Sequence, residues 1–200
     1  MMQNKYLFGI TGGTGAGKST VSKIIREMGY TVIDCDLISR RITQKGMPCL
    51  KELADEFGRD ILCPDGTLDR RKLGDIVFSD RSSLKKLNNI THKYILAEIY
   101  ADAENAKGSM VGVDGAVLFE SGIAQSLCKI IGVIADEDTR MHRIIKRDGI
   151  SEADAKNRID SQMSNSFYID NCDFIIYNNA DNEELARRVK EVVEKLDAEE

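Results

Sequence analysis

The stretch that decides the fold is Gly12-Gly13-Thr14-Gly15-Ala16-Gly17-Lys18-Ser19, directly after the apolar run YLFGI at 6–10. Its spacing, G-x-x-x-x-G-K-[ST], is that of a P-loop between a strand and a helix. Glycines let the backbone turn so closely that successive N–H groups point at one anion. Apolar residues then recur at helical spacing over 21–28, and a helix beginning here adds the positive end of its dipole.

The motif predicts a site for the phosphates of a nucleoside triphosphate. In such a site Lys18 contacts the β- and γ-phosphates, and the Ser19 hydroxyl is a ligand of Mg²⁺. The residues expected to contact the nucleotide here are Gly13, Thr14, Gly15, Ala16, Gly17, Lys18, Ser19 and Thr20.

Composition restricts the class of protein. The chain has 200 residues and a net charge of −5, which suits one substantial domain and argues against a nucleic-acid surface. No apolar run reaches the length of a membrane span and no signal-peptide core is present, so a cytoplasmic location without membrane contact is expected. The five cysteines never form C-x-x-C and are expected to be reduced, mostly buried thiols. No interface stripe stands apart from the core pattern, so oligomeric state is left open.

Apolar runs alternate with helical patterns along the chain, which is typical of an α/β protein with a parallel sheet. We predict a three-layer P-loop NTPase fold with five parallel strands near 5–10, 31–34, 109–114, 128–134 and 173–177. The nucleotide-binding core would comprise 1–35, 108–135 and 169–200. A helical insertion at 36–107 would bind the acceptor, and charged helices at 136–168 would form a lid.

Two aspartates follow the second predicted strand, in Val32-Ile33-Asp34-Cys35-Asp36. Ligands of open α/β sheets bind beyond the carboxyl ends of strands, and strand alternation would send Asp34 and Asp36 to the same side. One of them could orient and deprotonate an attacking hydroxyl. The alternative is that Asp36 caps a helix beginning at Leu37.

Further candidates lie after the third strand and in the lid. Asp114 ends an apolar strand, as Mg²⁺-associated aspartates of P-loop proteins do. Arg140, Arg143 and Arg147 share one helix face, and Arg158 follows on the next helix. Arginine forks match phosphate oxygens, so we expect Arg143 and Arg147 to contact phosphate, whereas the alternative is a solvated face paired with acidic neighbours.

Taken together, these motifs resemble the dephospho-coenzyme A kinase family over nearly the whole chain. Residues 10–20 are similar to its P-loop, Val32 to Asp36 with Arg40 to its D-A-D-x-x-x-R segment, and 114–120 to its D-x-P-L-L-F-E. Residues 143–162, including Gln162, resemble its lid, and 173–178 its late D-x-V-I-x-N strand. The departures from the family pattern are Cys35 for Ala, Lys93 for the Pro after His92, Ala116 for Pro, and Arg140 for Gln.

The resemblance implies transfer of the ATP γ-phosphoryl group to the ribose 3′-hydroxyl of dephospho-coenzyme A. It implies Asp36 as the acceptor-side base, with Arg40, His92 and Glu120 also on the acceptor side. It implies that Arg143, Arg147 and Arg158 close on the phosphates, and that Asn178 and the loop after it lie near adenine. Mg²⁺ would be held by Ser19, with Asp34 or Asp114 acting through water. The motifs themselves do not distinguish ATP from GTP.

Two other functions compete with this interpretation. Shikimate- or gluconate-type kinases also combine a P-loop with Asp-x-Asp after the second strand, but the long helical insertion fits the coenzyme A enzyme better. A nucleotide-dependent switch would transfer nothing. A guanine-specific switch should carry N-K-x-D after a late strand, and the sequence has none.

Overall fold

The computed structural model describes residues 5–179 and 181–199. Its strands are β1 (Tyr6–Thr11), β2 (Thr31–Asp34), β3 (Met110–Asp114), β4 (Lys129–Ile134) and β5 (Phe174–Tyr177). Its α-helices are α1 (Lys18–Glu27), α2 (Cys35–Ile42), α3 (Pro48–Phe57), α4 (Arg70–Ser79), α5 (Arg81–Glu104), α6 (Glu137–Asp148), α7 (Glu152–Asp160), α8 (Asn165–Asn171) and α9 (Asn182–Glu199). Short 3₁₀ turns lie at Arg59–Ile61 and Ile123–Ser126.

The sheet is parallel throughout, with strand order β2-β3-β1-β4-β5. The α/β fold with a five-stranded parallel sheet is therefore confirmed, and every strand bound lies within one residue of its prediction. Register places Asp114 beside both Ile10 and Asp34. The carboxyl ends of the three strands β2, β3 and β1 thus meet at the edge where the P-loop begins.

The two faces of the sheet are covered by different helices. On one face, Phe8 and Ile10 of β1 pack with α1 and α9. On the other face, Leu7 of β1 packs with α2, α3, α4 and α5. This alternation along β1 is what a strand buried on both sides requires, and it makes the three layers.

The insertion at 36–107 is helical, as predicted, apart from an isolated bridge between Leu62 and Leu68. Its buried residues belong to the same hydrophobic cluster as β2 and β3, so it shares a core with the sheet. Arg41 on α2 reinforces this layer by ion pairs to Glu98 and Asp102 on α5, each at 2.7 Å. The insertion is therefore one helical layer of the domain as well as a candidate acceptor site.

The helices of the predicted lid have a small core of their own, formed by Ile144, Ala155 and Ile159. Ser151 caps α7, accepting from the Asp154 backbone N–H at 3.1 Å, as the sequence Ser151 to Asp154 indicates. The packing of α6 against α7 is thus separate from the two cores of the sheet.

The cysteines are free thiols, as expected, but the prediction that most are buried was wrong. Cys35 and Cys49 are buried, Cys63 and Cys172 are half-buried, and Cys128 is exposed. In the part of the chain that the structure describes, no helix has both the length and the apolar character needed to cross a membrane.

We expect Gly17→Ala to destabilise the protein more than the matched control Gly29→Ala. Both glycines have positive φ, 93° and 99°, so alanine at either position is strained by about 1–2 kcal/mol. At Gly17 the new Cβ would also lie 2.0 Å from Nδ2 of buried Asn178, whereas at Gly29 no heavy atom lies within 4 Å. Urea denaturation of both variants measures the difference, and equal losses of unfolding free energy would contradict this close approach.

Candidate active site

A cavity of about 540 Å³ opens above the P-loop, and we call it the phosphate cavity. It is lined by P-loop residues, by one residue each of α2 and the loop after β3, by residues of α6 and α9, and by one residue each of the segments after α7 and after β5. They are Gly12, Gly13, Thr14, Gly15, Gly17, Lys18, Ser19, Thr20, Asp36, Ala116, Arg143, Arg147, Gln162, Asn178, Asn182 and Leu185. Of the predicted nucleotide contacts on the P-loop, only Ala16 does not line it, because its side chain is buried beneath.

Three consecutive P-loop carbonyls accept hydrogen bonds from side chains of α6 and of the segment after β5. Arg140 Nε donates to Thr14 O at 2.9 Å, Arg143 Nη1 to Gly15 O at 3.3 Å, and Asn178 Nδ2 to Ala16 O at 2.8 Å. A trans peptide directs its N–H opposite to its carbonyl. These bonds therefore help to fix the direction of the N–H groups on the next residues.

A buried carboxylate, that of Asp114, contacts the P-loop lysine. Lys18 Nζ forms an ion pair with Asp114 Oδ1, and the buried Ser22 Oγ donates to Asp114 Oδ2 at 2.7 Å. Both oxygens of Asp114 are thus held by α1. This arrangement positions the Lys18 ammonium at the phosphate site, since Lys18 also lines the cavity.

The two aspartates after β2 have different roles from those that strand alternation predicts. The strand ends at Asp34, and Asp34 itself caps α2, its Oδ1 accepting from the backbone N–H of Asp36 at 2.8 Å and of Leu37 at 3.1 Å. Asp36 lies in the first helical turn, so neither the shared strand face nor the capping alternative for Asp36 was correct. Because Asp34 provides the cap, the exposed carboxylate of Asp36 is left to face the phosphate cavity.

A second cavity, of about 270 Å³, lies between the insertion and the loop after β3, and we call it the apolar cavity. Half of its lining residues are aliphatic or aromatic, including Leu53, Leu73, Val77 and Phe78. Phe78 is 81% exposed and Val117 is 54% exposed at this cavity, so part of its apolar wall is open to solvent.

Asp36 is the side chain that lines both cavities. The loop after β3 separates them, with Ala116 lining the phosphate cavity and Val117 the apolar cavity. A ligand in the apolar cavity would therefore approach a nucleotide in the phosphate cavity at the Asp36 carboxylate.

The lid arginines do not share one environment. Arg143 and Arg147 line the phosphate cavity, as predicted. Arg147 also donates to Asp148 through Nε and Nη2, at 2.7 and 2.9 Å, and Arg158 Nη1 pairs with the same carboxylate at 2.5 Å. These pairs hold the pKa of Asp148 below its usual value. Arg158 lies outside the cavity, and Arg140 is buried beneath the P-loop instead of on a solvated face.

Three residues that the resemblance places on the acceptor side lie outside both cavities. Arg40 is exposed on α2. His92 on α5 has its Nε2 buried near Gly122, with no hydrogen-bond partner in the part of the chain described. Glu120 lines a separate surface pocket with Arg81 and Lys85.

The donor set fits a magnesium ion shared with a nucleotide more than a metal held by protein alone. Within residues 5–179 and 181–199, no cluster of three or more His, Cys, Asp or Glu could hold a metal ion. Mg²⁺ in phosphoryl-transfer sites typically uses one or two protein oxygens together with phosphates and water. The Ser19 hydroxyl, which lines the phosphate cavity, and the Asp114 carboxylate, which lies next to Lys18 but does not line the cavity, supply that number.

Sequence reasoning missed several groups that build the site. Gln162 belongs to the family-like lid segment, and its Oε1 accepts from the Thr14 backbone N–H at 2.7 Å, but the sequence does not reveal that contact. Ser22 lies one helical turn beyond Lys18, and nothing in the sequence predicts its hydrogen bond to Asp114. Asn182 and Leu185 lie at the start of a helix whose pattern predicts only packing.

Comparisons with known proteins agree with this geometry. A family model described as Dephospho-CoA kinase matches residues 6–184. A curated Dephospho-CoA kinase from Fusobacterium nucleatum is 39% identical over 191 residues, covering 95% of this chain and 98% of the relative. The solved Dephospho-CoA kinase from Campylobacter jejuni superimposes with a TM-score of 0.65 at 30% identity, covering 96% of this chain and 97% of that one.

A shikimate kinase from Bacteroides thetaiotaomicron also superimposes, with a TM-score of 0.52 over 96% of this chain and 98% of that one. Its sequence is 16% identical, so this likeness concerns the fold alone. The competing acceptor class is therefore not favoured by it.

We expect iodoacetamide at pH 8 to modify Cys128 long before Cys35. Burial, followed by the nearby charges of Asp114, Asp36 and Asp34, raises the pKa of the Cys35 thiol to about 12. The reactive thiolate is then on the order of one in ten thousand of Cys35 at pH 8, and it increases as pH rises toward 12. Peptide mapping by mass spectrometry gives both rates, and comparable rates at pH 8 would contradict the described environment of Cys35.

Proposed function

This chain belongs to the dephospho-CoA kinase family, and on that premise we propose that it transfers the γ-phosphoryl group of ATP to the ribose 3′-hydroxyl of dephospho-coenzyme A. The product is coenzyme A, so this is the final step of coenzyme A synthesis. One observation carries the assignment of sites within the chain. The Asp36 carboxylate lies in the walls of both the phosphate cavity and the apolar cavity, where donor and acceptor would meet.

On the donor side, the P-loop N–H groups and the start of α1 bind the triphosphate of ATP. Lys18, Arg143 and Arg147 line the same cavity and provide positive charge toward the β- and γ-phosphates. Asn178, Asn182 and Leu185 form the cavity wall near the late strand, where we place the ATP base and ribose. These residues position the γ-phosphorus with its leaving oxygen directed away from Asp36.

On the acceptor side, the apolar cavity receives the nucleoside and pantetheine portions of dephospho-coenzyme A. Asp36 accepts a hydrogen bond from the 3′-hydroxyl and takes its proton as the hydroxyl oxygen bonds to the γ-phosphorus. The bond from that phosphorus to the β–γ bridging oxygen breaks, and ADP leaves with the electron pair. Arg40, His92 and Glu120 remain proposed acceptor contacts that lie outside the apolar cavity in this structure.

Mg²⁺, when bound, neutralises charge on the β- and γ-phosphates. Ser19 would supply its hydroxyl directly, and Asp114, whose two oxygens already accept from Lys18 and Ser22, would act through water. We favour Asp114 over Asp34 because Asp34 Oδ1 is engaged in capping α2. Arg158 would reach the phosphates only after its pair with Asp148 opens.

The remaining expectations fit the same proposal. The proposed acceptor is a small molecule, and the protein's donor site provides three cations for phosphate. The reaction therefore needs no nucleic-acid or membrane partner. We propose a cytoplasmic location, in keeping with the free thiols.

We expect Asp36→Asn to lower kcat by about 10²–10⁴-fold while the affinity for ATP and the melting temperature stay near those of the parent protein. The amide keeps the shape of the side chain but cannot take the proton, and Asp34, not Asp36, caps α2. Steady-state kinetics with calorimetric ATP titration measure both effects. Asp55→Asn, which removes one exposed carboxylate from α3, is the matched control and should leave kcat unchanged. Normal turnover with a lowered melting temperature in Asp36→Asn would contradict the assignment.

The acceptor itself is identified by measuring ADP release from Mg-ATP with dephospho-coenzyme A, shikimate and nucleoside monophosphates in separate reactions. We expect turnover with dephospho-coenzyme A alone and a product phosphorylated at the ribose 3′-oxygen, observed by ³¹P NMR. Turnover with shikimate would preserve the kinase assignment and overturn the acceptor. No stimulation by any acceptor would favour the nucleotide-dependent switch.

A further inference from the structure

Arg140 is a buried cation directly behind the P-loop. It is only 3% exposed, its Nε donates to Thr14 O at 2.9 Å, and its Nη2 is buried without a hydrogen-bond partner among the described residues. Nη2 lies so close to the loop that a Cβ on Gly13 would be 2.5 Å away. Across residues 5–179 and 181–199, no carboxylate forms an ion pair with Arg140. The guanidinium therefore carries a charge that no carboxylate among the described residues contacts directly, although Glu137 acts on it from farther away.

Such a group is unfavourable unless something balances it. A buried charge is stabilised only by hydrogen bonds and an opposite charge, and an arginine does not escape the cost by losing its proton. Burial disfavours the charged guanidinium and lowers the pKa of Arg140, and the nearby Tyr168 and Glu137 offset this only in part. The opposite face of Gly13, Thr14 and Gly15 lines the phosphate cavity, which is where a polyanion would bind.

We propose that Arg140 is a positioning residue for the donor polyphosphate, whose negative charge on the front of the P-loop compensates the buried guanidinium behind it. The bond to Thr14 O also fixes the peptide that joins Thr14 to Gly15. Since the N–H of that peptide points opposite to its carbonyl, Arg140 directs the Gly15 N–H toward the phosphate side. This inference rests on the proposed function in one respect, that ATP occupies the phosphate cavity.

The proposal separates Arg140 from a merely structural arginine. A structural arginine stabilises the protein with and without nucleotide, whereas a cation awaiting its counter-ion destabilises the nucleotide-free protein and favours the bound one. Replacing a buried charge by an apolar side chain of similar size is often neutral or stabilising. Loss of Arg140 removes the donor to Thr14 O but also removes an unbalanced buried charge, so the nucleotide-free protein should be no less stable while nucleotide binding weakens.

The experiment compares Arg140→Met, Arg140→Lys and the control Lys146→Met, which removes an exposed positive charge from the same helix. For each full-length variant, the melting temperature is measured without nucleotide and with saturating Mg-ATP, and KM is measured for ATP and for dephospho-coenzyme A. For Arg140→Met we expect an unchanged or higher melting temperature without nucleotide and a smaller ATP-induced shift. KM for ATP should rise about ten- to a hundredfold, the range for losing a charged hydrogen bond, while KM for dephospho-coenzyme A stays within about twofold.

The Lys variant retains a charge but loses the guanidinium fork, so its ATP-induced shift should lie between those of Arg140→Met and the parent protein. Lys146→Met should behave as the parent does. An unchanged KM for ATP in Arg140→Met would overturn the proposal. So would a lower nucleotide-free melting temperature or loss of folding, because either shows a structural role. If the parent protein itself gains no stability from Mg-ATP, the proposed function fails instead, which separates the two conclusions.

Discussion

The rest of the structure depends on one constraint, the need to satisfy both sides of the P-loop backbone at once. The N–H groups that are to hold phosphate must face the phosphate cavity, so the carbonyls of the same peptides face away from it, where an unpaired carbonyl is costly. Arg140, Arg143 and Asn178 each donate to one of three consecutive carbonyls. Two of these donors lie on α6, so the lid helix is part of the phosphate site even where it does not contact the cavity.

The segments that hold the P-loop are different from those that build the other side of the site. The P-loop is held by α6 and by the segment after β5, while the proposed acceptor side is the insertion, which covers one face of the sheet. The parallel register brings Asp34 and Asp114 together at one edge, and the first turn of α2 then places Asp36 between the two cavities. A kinase needs this junction, because its donor and acceptor must be bound separately and yet react.

Local patterns were enough to predict the α/β class, the P-loop and each strand to within one residue, since strand burial and helix periodicity are properties of short segments. The same patterns failed at Asp34 and Asp36, because the last residue of a strand and the cap of the next helix can coincide. They also failed to separate Arg140 from Arg143. Both lie on one helix face, but only packing against the P-loop decides which of them is buried.

By itself, the sequence determined the order of the strands along the chain, the position of the phosphate-binding turn and, through its resemblance to a family, the reaction. Only the tertiary structure decided that Asp36 faces two cavities, that Arg158 pairs with Asp148 and that His92 lies apart from the apolar cavity. The physical reason is the distance along the chain over which each interaction acts. Turn and helix preferences act over a few neighbouring residues, whereas the burial of a charge such as that of Arg140 depends on segments more than a hundred residues apart along the chain.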